Sequence, residues 1–211
     1  MTSAGPLFID PAVDPRPAPL AFSPFKALVA PRPIGWISTI APDGVVNLAP
    51  YSFFNGVADD PPCVMFASNG SHVEGGTKDS LRNAEASGEF VVNVVPYALR
   101  DAMNATSALA PRCLDEMAAA GLTPAPCRYV RPPRVAESPA SLECRVLQIV
   151  RLPDGRNGPN HMAIGQVVGI HLDRALIAEG RVDLRRLRPL ARLGYMDYCA
   201  VDEPVELRRP G

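Results

Sequence analysis

Residues 35–40 and 45–51 are two short runs rich in valine, isoleucine and small polar side chains, and Pro42-Asp43-Gly44 stands between them. Such a turn fixes a hairpin, and a hairpin forces antiparallel pairing on whatever sheet it enters. Four further runs of the same kind follow, at residues 63–68, 89–95, 141–151 and 161–172. Asp154-Gly155-Arg156-Asn157-Gly158 reads as the hairpin tip joining the last two. Helical pieces are predicted over residues 79–86, stopped by Gly88, over 97–108, over 114–120, stopped by Gly121, and over 173–178. Because the helices interrupt the strands rather than alternating with them, the fold class is mainly β. The expectation is an antiparallel barrel with inserted short α-helices, not a doubly wound sheet.

A chain of 211 residues suits one domain, or one domain with an appendage, and buries roughly 70% of its unfolded surface. Prolines 6, 11, 15, 17, 19 and 24 remove backbone donors and fix φ over residues 1–24. That stretch is an extended arm, lying on the surface or on a partner subunit. Residues 25–200 then form the domain and residues 201–211 a tail. Charge is balanced, 21 basic against 22 acidic residues for a formal net of −1, so no global field favours nucleic acid or an anionic membrane. Cys63, Cys113, Cys127, Cys144 and Cys199 have no C-x-x-C spacing and no secretory leader ahead of them. They are expected as reduced thiols in a cytoplasmic protein, acting as small buried hydrophobes. No apolar run approaches the ~20 residues of a membrane helix, so a soluble protein is expected.

Two segments carry the chemistry. In Lys78-Asp79-Ser80-Leu81-Arg82-Asn83, Asp79 or Ser80 can cap a helix while Lys78, the Ser80 hydroxyl and the first amides face an anion. A capped surface helix with solvated charges is the alternative. In Asn47-Leu48-Ala49-Pro50-Tyr51-Ser52-Phe53-Phe54-Asn55, strand alternation forbids Phe53 and Phe54 from both pointing inward. One of them therefore faces a ligand, an interface or a bend. Trp36 offers a ring, and Ser38 and Thr39 offer hydroxyls, although all three are ordinary strand residues. Rings, hydroxyls and a lysine at a helix start together suit a planar apolar ring system with a phosphate tail, which reads as a flavin site. His161 and His171, ten positions apart on one strand, are separated by about 33 Å at ~3.3 Å per residue and cannot share a metal. His72 lies in a glycine-rich loop near the clamp, as a ligand contact or an ordinary loop residue. No G-x-S-x-G elbow, G-x-G-x-x-G turn or P-loop is present. No side chain is expected as catalytic acid or base, and no metal site is expected.

At these residues the sequence resembles the flavin reductase-like, FMN-binding split-barrel proteins, in the branch of NADH:FMN oxidoreductases and flavoredoxin-like flavoproteins. The resemblance is carried by RPIGWIST (residues 32–39), DG..NLAPYSFFN (43–55), DPP (60–62), KDSLRN (78–83), GEFVVNVV (88–95) and MNATSA (103–108). It continues through DE...AGLT (115–123), PPRVAESPASLEC (132–144) and RLGYMDY (192–198). It implies a Greek-key split β-barrel, dimerising with an identical subunit and holding FMN at the subunit boundary. Trp36, Ser38, Thr39, Tyr51, Ser52, Phe53, Phe54, Asn55 and Ser68 are the implied flavin contacts. Lys78, Asp79 and Ser80 surround the phosphate, and Arg192 and Tyr195 approach from the C-terminal segment, of the same or the partner chain. Ser80 stands where threonine is common and Cys127 where serine is frequent. The implied activity is hydride transfer from NADH or NADPH to flavin N5, the electrons leaving to free flavin, oxygen or another acceptor. Alternatives are a reductase supplying reduced flavin to a separate monooxygenase, an electron carrier passing electrons to a redox protein without turnover, and a structural dimerisation domain.

Overall fold

The computed structural model describes residues 5–209. Residues 1–4 of the expected arm and 210–211 of the tail lie outside it. Residues 5–24 carry no regular structure, in keeping with their prolines, and lead into a single helical turn, Phe25–Leu28. No helix among the described residues is long and apolar enough to cross a membrane.

Seven strands form the main sheet: β1 Gly35–Ile40, β2 Val46–Tyr51, β3 Phe54–Asp59, β4 Pro62–Asn69, β5 Glu89–Val94, β6 Ala140–Gly155 and β7 Gly158–Leu172. They run in the order β2-β1-β5-β6-β7-β4-β3, antiparallel throughout. The two strands at opposite ends of that order, β2 and β3, are consecutive in sequence, with only Ser52 and Phe53 between them. Two residues span a few ångströms, so the sheet has to curl until its ends meet. No ladder joins β2 to β3. The corner is tied instead by the Ala67 amide, which donates to the Phe53 carbonyl at 2.8 Å. This is a mainly β split barrel.

Among the described residues a helical turn, Leu184–Leu187, follows the last strand of the main sheet, and three helices are inserted between its strands, α1 Asp79–Ser87, α2 Arg100–Ala105 and α3 Glu116–Ala119. They explain why β1 is buried on both faces although its side chains alternate. On one face Ile37 joins Tyr51, Phe66, Phe90, Val92 and Ala163, with Leu81 and Ala84 of α1 packed into the same cluster. On the other, Trp36 joins Leu48, Val95, Met103 of α2, Met117 of α3 and Leu190. A small sheet of Arg32–Pro33, Leu190–Arg192 and Tyr198–Ala200 flanks the barrel.

Several boundaries differ from expectation. The sequence suggests six strands, whereas β3 is a seventh, read there only as the end of an aromatic run. Residues 97–108 hold a 3₁₀ turn, Tyr97–Leu99, and the shorter α2. Beyond it Thr106 turns its hydroxyl back to the Met103 carbonyl, 2.8 Å, and accepts from the Trp36 indole, 2.8 Å. Asp115 caps α3 by accepting from the Ala118 amide, so that helix starts two residues later than predicted. Residues 173–178 form a 3₁₀ turn, Arg174–Leu176, and then the short strand Ile177–Ala178.

Candidate functional site

A cleft of about 280 Å³ opens where the β2–β3 corner, the start of α1 and the loops at residues 69–73 and 106–110 converge. Its most informative wall is the helix start. Lys78 precedes α1 in extended conformation (φ −64°, ψ 153°), and no side chain caps the helix. The first amides of a helix lack intrahelical acceptors, so they remain available to a ligand. Asp79 does not cap them. Its carboxylate pairs with Arg112, with Nε2 of His72 at 3.2 Å and with Arg82 at 3.7 Å. Arg112 also donates to the carbonyls of Gly75 and Thr77, so it locks the 70–77 loop against the helix. The acid at the helix start is thereby neutralised by its own neighbours.

Lys78 is different, because no carboxylate of the described residues pairs with it. Half-burial, with the nearby Lys26 ammonium second, pulls its pKa below the ordinary 10.5. Both lysines line the cleft. A desolvated ammonium beside a like charge and uncapped amides makes a receptor for an anion.

Behind the lysine lies a hydrogen-bonded floor. The Ser80 hydroxyl donates to Asn47 Oδ1 at 2.6 Å, and Asn47 Nδ2 donates to Glu116 Oε1 at 3.0 Å. The other Glu116 oxygen accepts the Leu48 amide at 3.1 Å, fixing α3 to β2. Burial raises the Glu116 pKa, and the Leu48 and Asn47 hydrogen bonds offset part of that rise. Tyr51 places its hydroxyl beside Ser80 and Ser68; burial pushes it up to about 12, so it stays protonated. His72 accepts the Glu74 amide on Nδ1, 3.0 Å, which leaves Nε2 as the protonated nitrogen facing the Ala110 carbonyl, 3.1 Å, and Asp79.

The aromatic question at residues 53 and 54 has a clear answer. Phe54 packs against the barrel core, and its ring lies where a Cβ on Gly35 would come within 2.6 Å, so glycine is what admits the ring there. Phe53, on the corner between strands, lines the cleft instead. Its ring stacks on Phe25 with centroids 6.5 Å apart and carries the Arg32 guanidinium 5.7 Å from its centroid.

Of the residues singled out in the sequence, the structure brings Tyr51, Ser52, Phe53, Lys78, Asp79 and Ser80 together on the cleft, with Ser68 buried behind Tyr51. Others it turns elsewhere. Trp36 and Ser38 share the outer face of β1, where Asn93 Nδ2 donates to the Trp36 carbonyl and the Ser38 hydroxyl, and Ser38 donates to the Pro133 carbonyl. Thr39 is buried against Asn83 and Asn47. Asn55 is exposed on β3, its side chain accepting the Gly56 amide. Arg192 and Tyr195 lie on the far side of Arg32, beside a separate cavity or on the adjoining turn. His72, weighed in the sequence as a ligand contact or an ordinary loop residue, lines the cleft; residues that the sequence pattern did not single out are Asn47, Glu116, Lys26, Arg112 and Thr106. Asn47 and Glu116 sit inside the quoted motifs NLAPYSFFN and DE...AGLT, but nothing in their spacing reveals that they bond to each other across 69 positions.

Away from the cleft, Cys127, Glu143 and His171 cluster with their polar atoms within 4.8 Å. The buried Glu143 carboxylate already accepts the amides of Arg128, Tyr129 and Val130 and faces His171 Nε2 at 2.6 Å. Burial pushes the Cys127 thiol up to about 11. This is a structural knot that pins the 128–130 loop to β6 and β7.

Fold and cleft define a split-barrel protein with an anion-receptive pocket at the barrel's open seam. The chain belongs to the family described as "Flavin reductase like domain", which matches residues 28–191, and is in class a flavin-related oxidoreductase. An uncharacterized protein of Deinococcus radiodurans is 39% identical over 191 residues, covering 87% of this chain and 82% of the relative. Among solved structures, nitrilotriacetate monooxygenase component B from Bacillus cereus superposes with a TM-score of 0.85 at 32% identity, covering 97% of this chain and 100% of that one. A protein with a split barrel domain from Shewanella frigidimarina matches in fold, TM-score 0.76 at 22% identity over 88% of this chain and 90% of that one.

Proposed function

We propose that the cleft binds FMN and that the protein is an NAD(P)H-dependent flavin oxidoreductase. The observation that carries this reading is the uncapped start of α1 beside Lys78, a cation without a carboxylate partner, facing a cleft with the Phe53 ring on its wall. The residues fit the group. Lys78, Lys26 and the first amides of α1 would hold the phosphate, with Ser80 as an added donor once its hydroxyl turns from Asn47. Phe53 supplies an apolar face, and Tyr51 and Ser52 supply hydroxyls along the cleft. When bound, the flavin supplies acceptance of a hydride from NADH or NADPH at N5 and its passage to a separate acceptor.

The chain's own residues bind and orient. The Ser80–Asn47–Glu116 chain keeps the floor fixed, so the helix start and β2 hold one relative position. Asp79, neutralised by Arg112 and Arg82, does not repel a phosphate as a free carboxylate would. Tyr51 remains a neutral donor across the working pH range. No side chain is assigned as an acid or base. The likeness to a monooxygenase component favours release of electrons to a partner's chemistry over a carrier without turnover. Assembly with a second copy of the chain and a cytoplasmic location belong to the same reading.

The test is an absorbance spectrum of the purified protein before and after incubation with FMN, followed by anaerobic addition of NADH and, separately, NADPH. Flavin bands that bleach within the time of mixing are expected. A protein that stays colourless after incubation removes the FMN site, and bound flavin that bleaches only sluggishly with both nucleotides leaves an electron carrier.

A further inference from the structure

We infer that a second cavity, between residues 97–104 and 190–198, is an anion subsite that takes the pyrophosphate of a pyridine dinucleotide, with Arg192 as its principal contact. The inference deepens the proposed function, on which it rests, by naming where the hydride donor docks.

Arg32 and Arg192 are direct partners in the antiparallel pairing of Arg32–Pro33 with Leu190–Arg192. Directly opposed side chains in such a ladder lie on the same face about 4.5–5.5 Å apart at Cβ, and like charges there are destabilising. The repulsion is felt: Arg32 is held below its ordinary pKa by burial first and by Arg192 second. Neither guanidinium has a carboxylate partner among the described residues. Arg32 donates to the carbonyls of Lys26, Val29 and Leu193, and its buried Nε has no partner at all. Arg192 donates to the Tyr198 hydroxyl and the Tyr195 carbonyl, both neutral. Two facing cations with only neutral acceptors retain charge that an anion would compensate.

The cavity supplies the rest of such a site. It has about 460 Å³ of room and is lined by Arg192 and Arg100 as cations, by the carboxylate of Asp101, which pairs with Arg100 and leaves Arg192 uncompensated, and by Leu190, Met103 and Met196 as its apolar part. Arg100 pairs only with the exposed Asp101, 3.3 Å, and stacks on Tyr97 with its guanidinium 4.4 Å from the ring centroid. Arg192 stacks on Tyr198 at 4.3 Å. Stacked guanidiniums are held in plane and present their remaining edges to phosphate oxygens. The apolar side chains, with Met196 exposed and adaptable, suit the base at the other end.

The cavity is also connected to the cleft. Arg32 touches Phe53 on one side and opposes Arg192 on the other, so a ligand anchored at Arg192 is two side chains away from the aromatic wall of the flavin site. Arg32 additionally holds the carbonyl of Lys26, a cleft residue.

ADP-ribose, the dinucleotide without its nicotinamide, is the probe, titrated calorimetrically against the purified wild-type chain and compared with adenosine and FMN. Wild type is expected to bind ADP-ribose well above adenosine. Arg192→Gln should weaken ADP-ribose by about tenfold to a hundredfold, the range of a lost charge-assisted contact, while FMN affinity stays within about twofold. The Lys78→Ala/Ser80→Ala double variant should do the reverse. Should Arg192→Gln fail to fold, Arg100→Gln carries the test, with a loss of about threefold to tenfold for ADP-ribose expected because Asp101 already compensates part of its charge. The inference is overturned if wild type shows no ADP-ribose binding, if the arginine variants leave ADP-ribose unchanged, or if Arg192→Gln weakens FMN instead, which assigns the cation to flavin. Failure of the FMN site is distinguishable, since it appears as absent FMN binding in wild type while the ADP-ribose titration stands by itself.

Discussion

Replacing Lys78 by alanine separates a ligand-binding charge from a structural one. The ammonium is half-buried, unpaired and beside Lys26, so the folded protein gains nothing from it in the absence of an anion. Lys78→Ala is therefore expected to leave the stability of the flavin-free protein unchanged or slightly raised. A charge-assisted contact to phosphate contributes about 1.5–3 kcal/mol, so FMN affinity should fall about tenfold to a hundredfold. Riboflavin, which lacks the phosphate, should shift by less than about twofold. The pH dependence follows from linkage. Because Lys78 holds its proton less tightly when folded, the unfolded chain binds more protons between the lowered pKa and 10.5. The penalty of the buried charge is present in full below that window and is relieved as pH rises through it, so wild-type stability gains a rise there that the variant lacks. FMN affinity of the wild type should decline through the same window, as the ammonium is lost. Fluorescence-quenching titrations with both flavins, and urea unfolding across alkaline pH, measure these quantities. Equal weakening of FMN and riboflavin, or a marked loss of flavin-free stability, would refute the reasoning.

Three further substitutions test the scaffold. Gly35→Ala drives a methyl to 2.6 Å from the Phe54 ring; overpacking of this kind costs about 1–3 kcal/mol, and pairing it with Phe54→Leu should recover part of that loss in urea unfolding. Glu116→Gln keeps the shape but offers one oxygen to two donors, the Leu48 amide and Asn47 Nδ2. One donor is left facing an NH₂ group, and a destabilisation of about 1–3 kcal/mol by chemical denaturation is expected. Glu143→Gln removes acceptors from a carboxylate that serves three amides and His171, at about 2–5 kcal/mol. Burial alone would raise the Glu143 pKa, yet the amides of Arg128 and Tyr129 and the His171 contact outweigh it and hold the group below the usual 4.5. Its stabilisation is thus present above that value and lost as pH falls through the lowered one, and acid unfolding of the variant should be flatter there than that of the wild type.

Much of the fold is legible in the chain. The Pro42-Asp43-Gly44 turn set the first hairpin, and β1, β2, β4 to β7 and α1 carry patterns that locate them to within a few residues. The strand β3 does not. Residues 55–59 are all exposed, so they show no hydrophobic alternation, and Gly56 weakens any strand propensity. That strand exists because β4 offers it a ladder, which is a property of the folded sheet. The helix end at Thr106 is likewise tied to a partner that sequence distance hides, the Trp36 indole 70 positions away, whereas the Asp115 cap is local, its acceptor serving the Ala118 amide three residues on.

At the site, residue order alone determined the groups of local origin: a lysine, an acid and a serine at the start of one helix, and a run of aromatics at the end of one strand. Those groups stand beside one another along the chain, so their grouping is written in short-range order, although the partners of Asp79 and Ser80, Arg112 and Asn47, are each 33 positions away. Tertiary structure decided the rest. It chose Phe53 over Phe54 for the cleft because a two-residue corner joins opposite ends of the sheet, and it turned Trp36 and Ser38 to the outer face of β1. It also joined Asn47 to Glu116 and set Arg32 against Arg192, 160 positions apart in the chain. Pairings of that range depend on how the sheet curls and which strands it brings into register, and no local pattern encodes either.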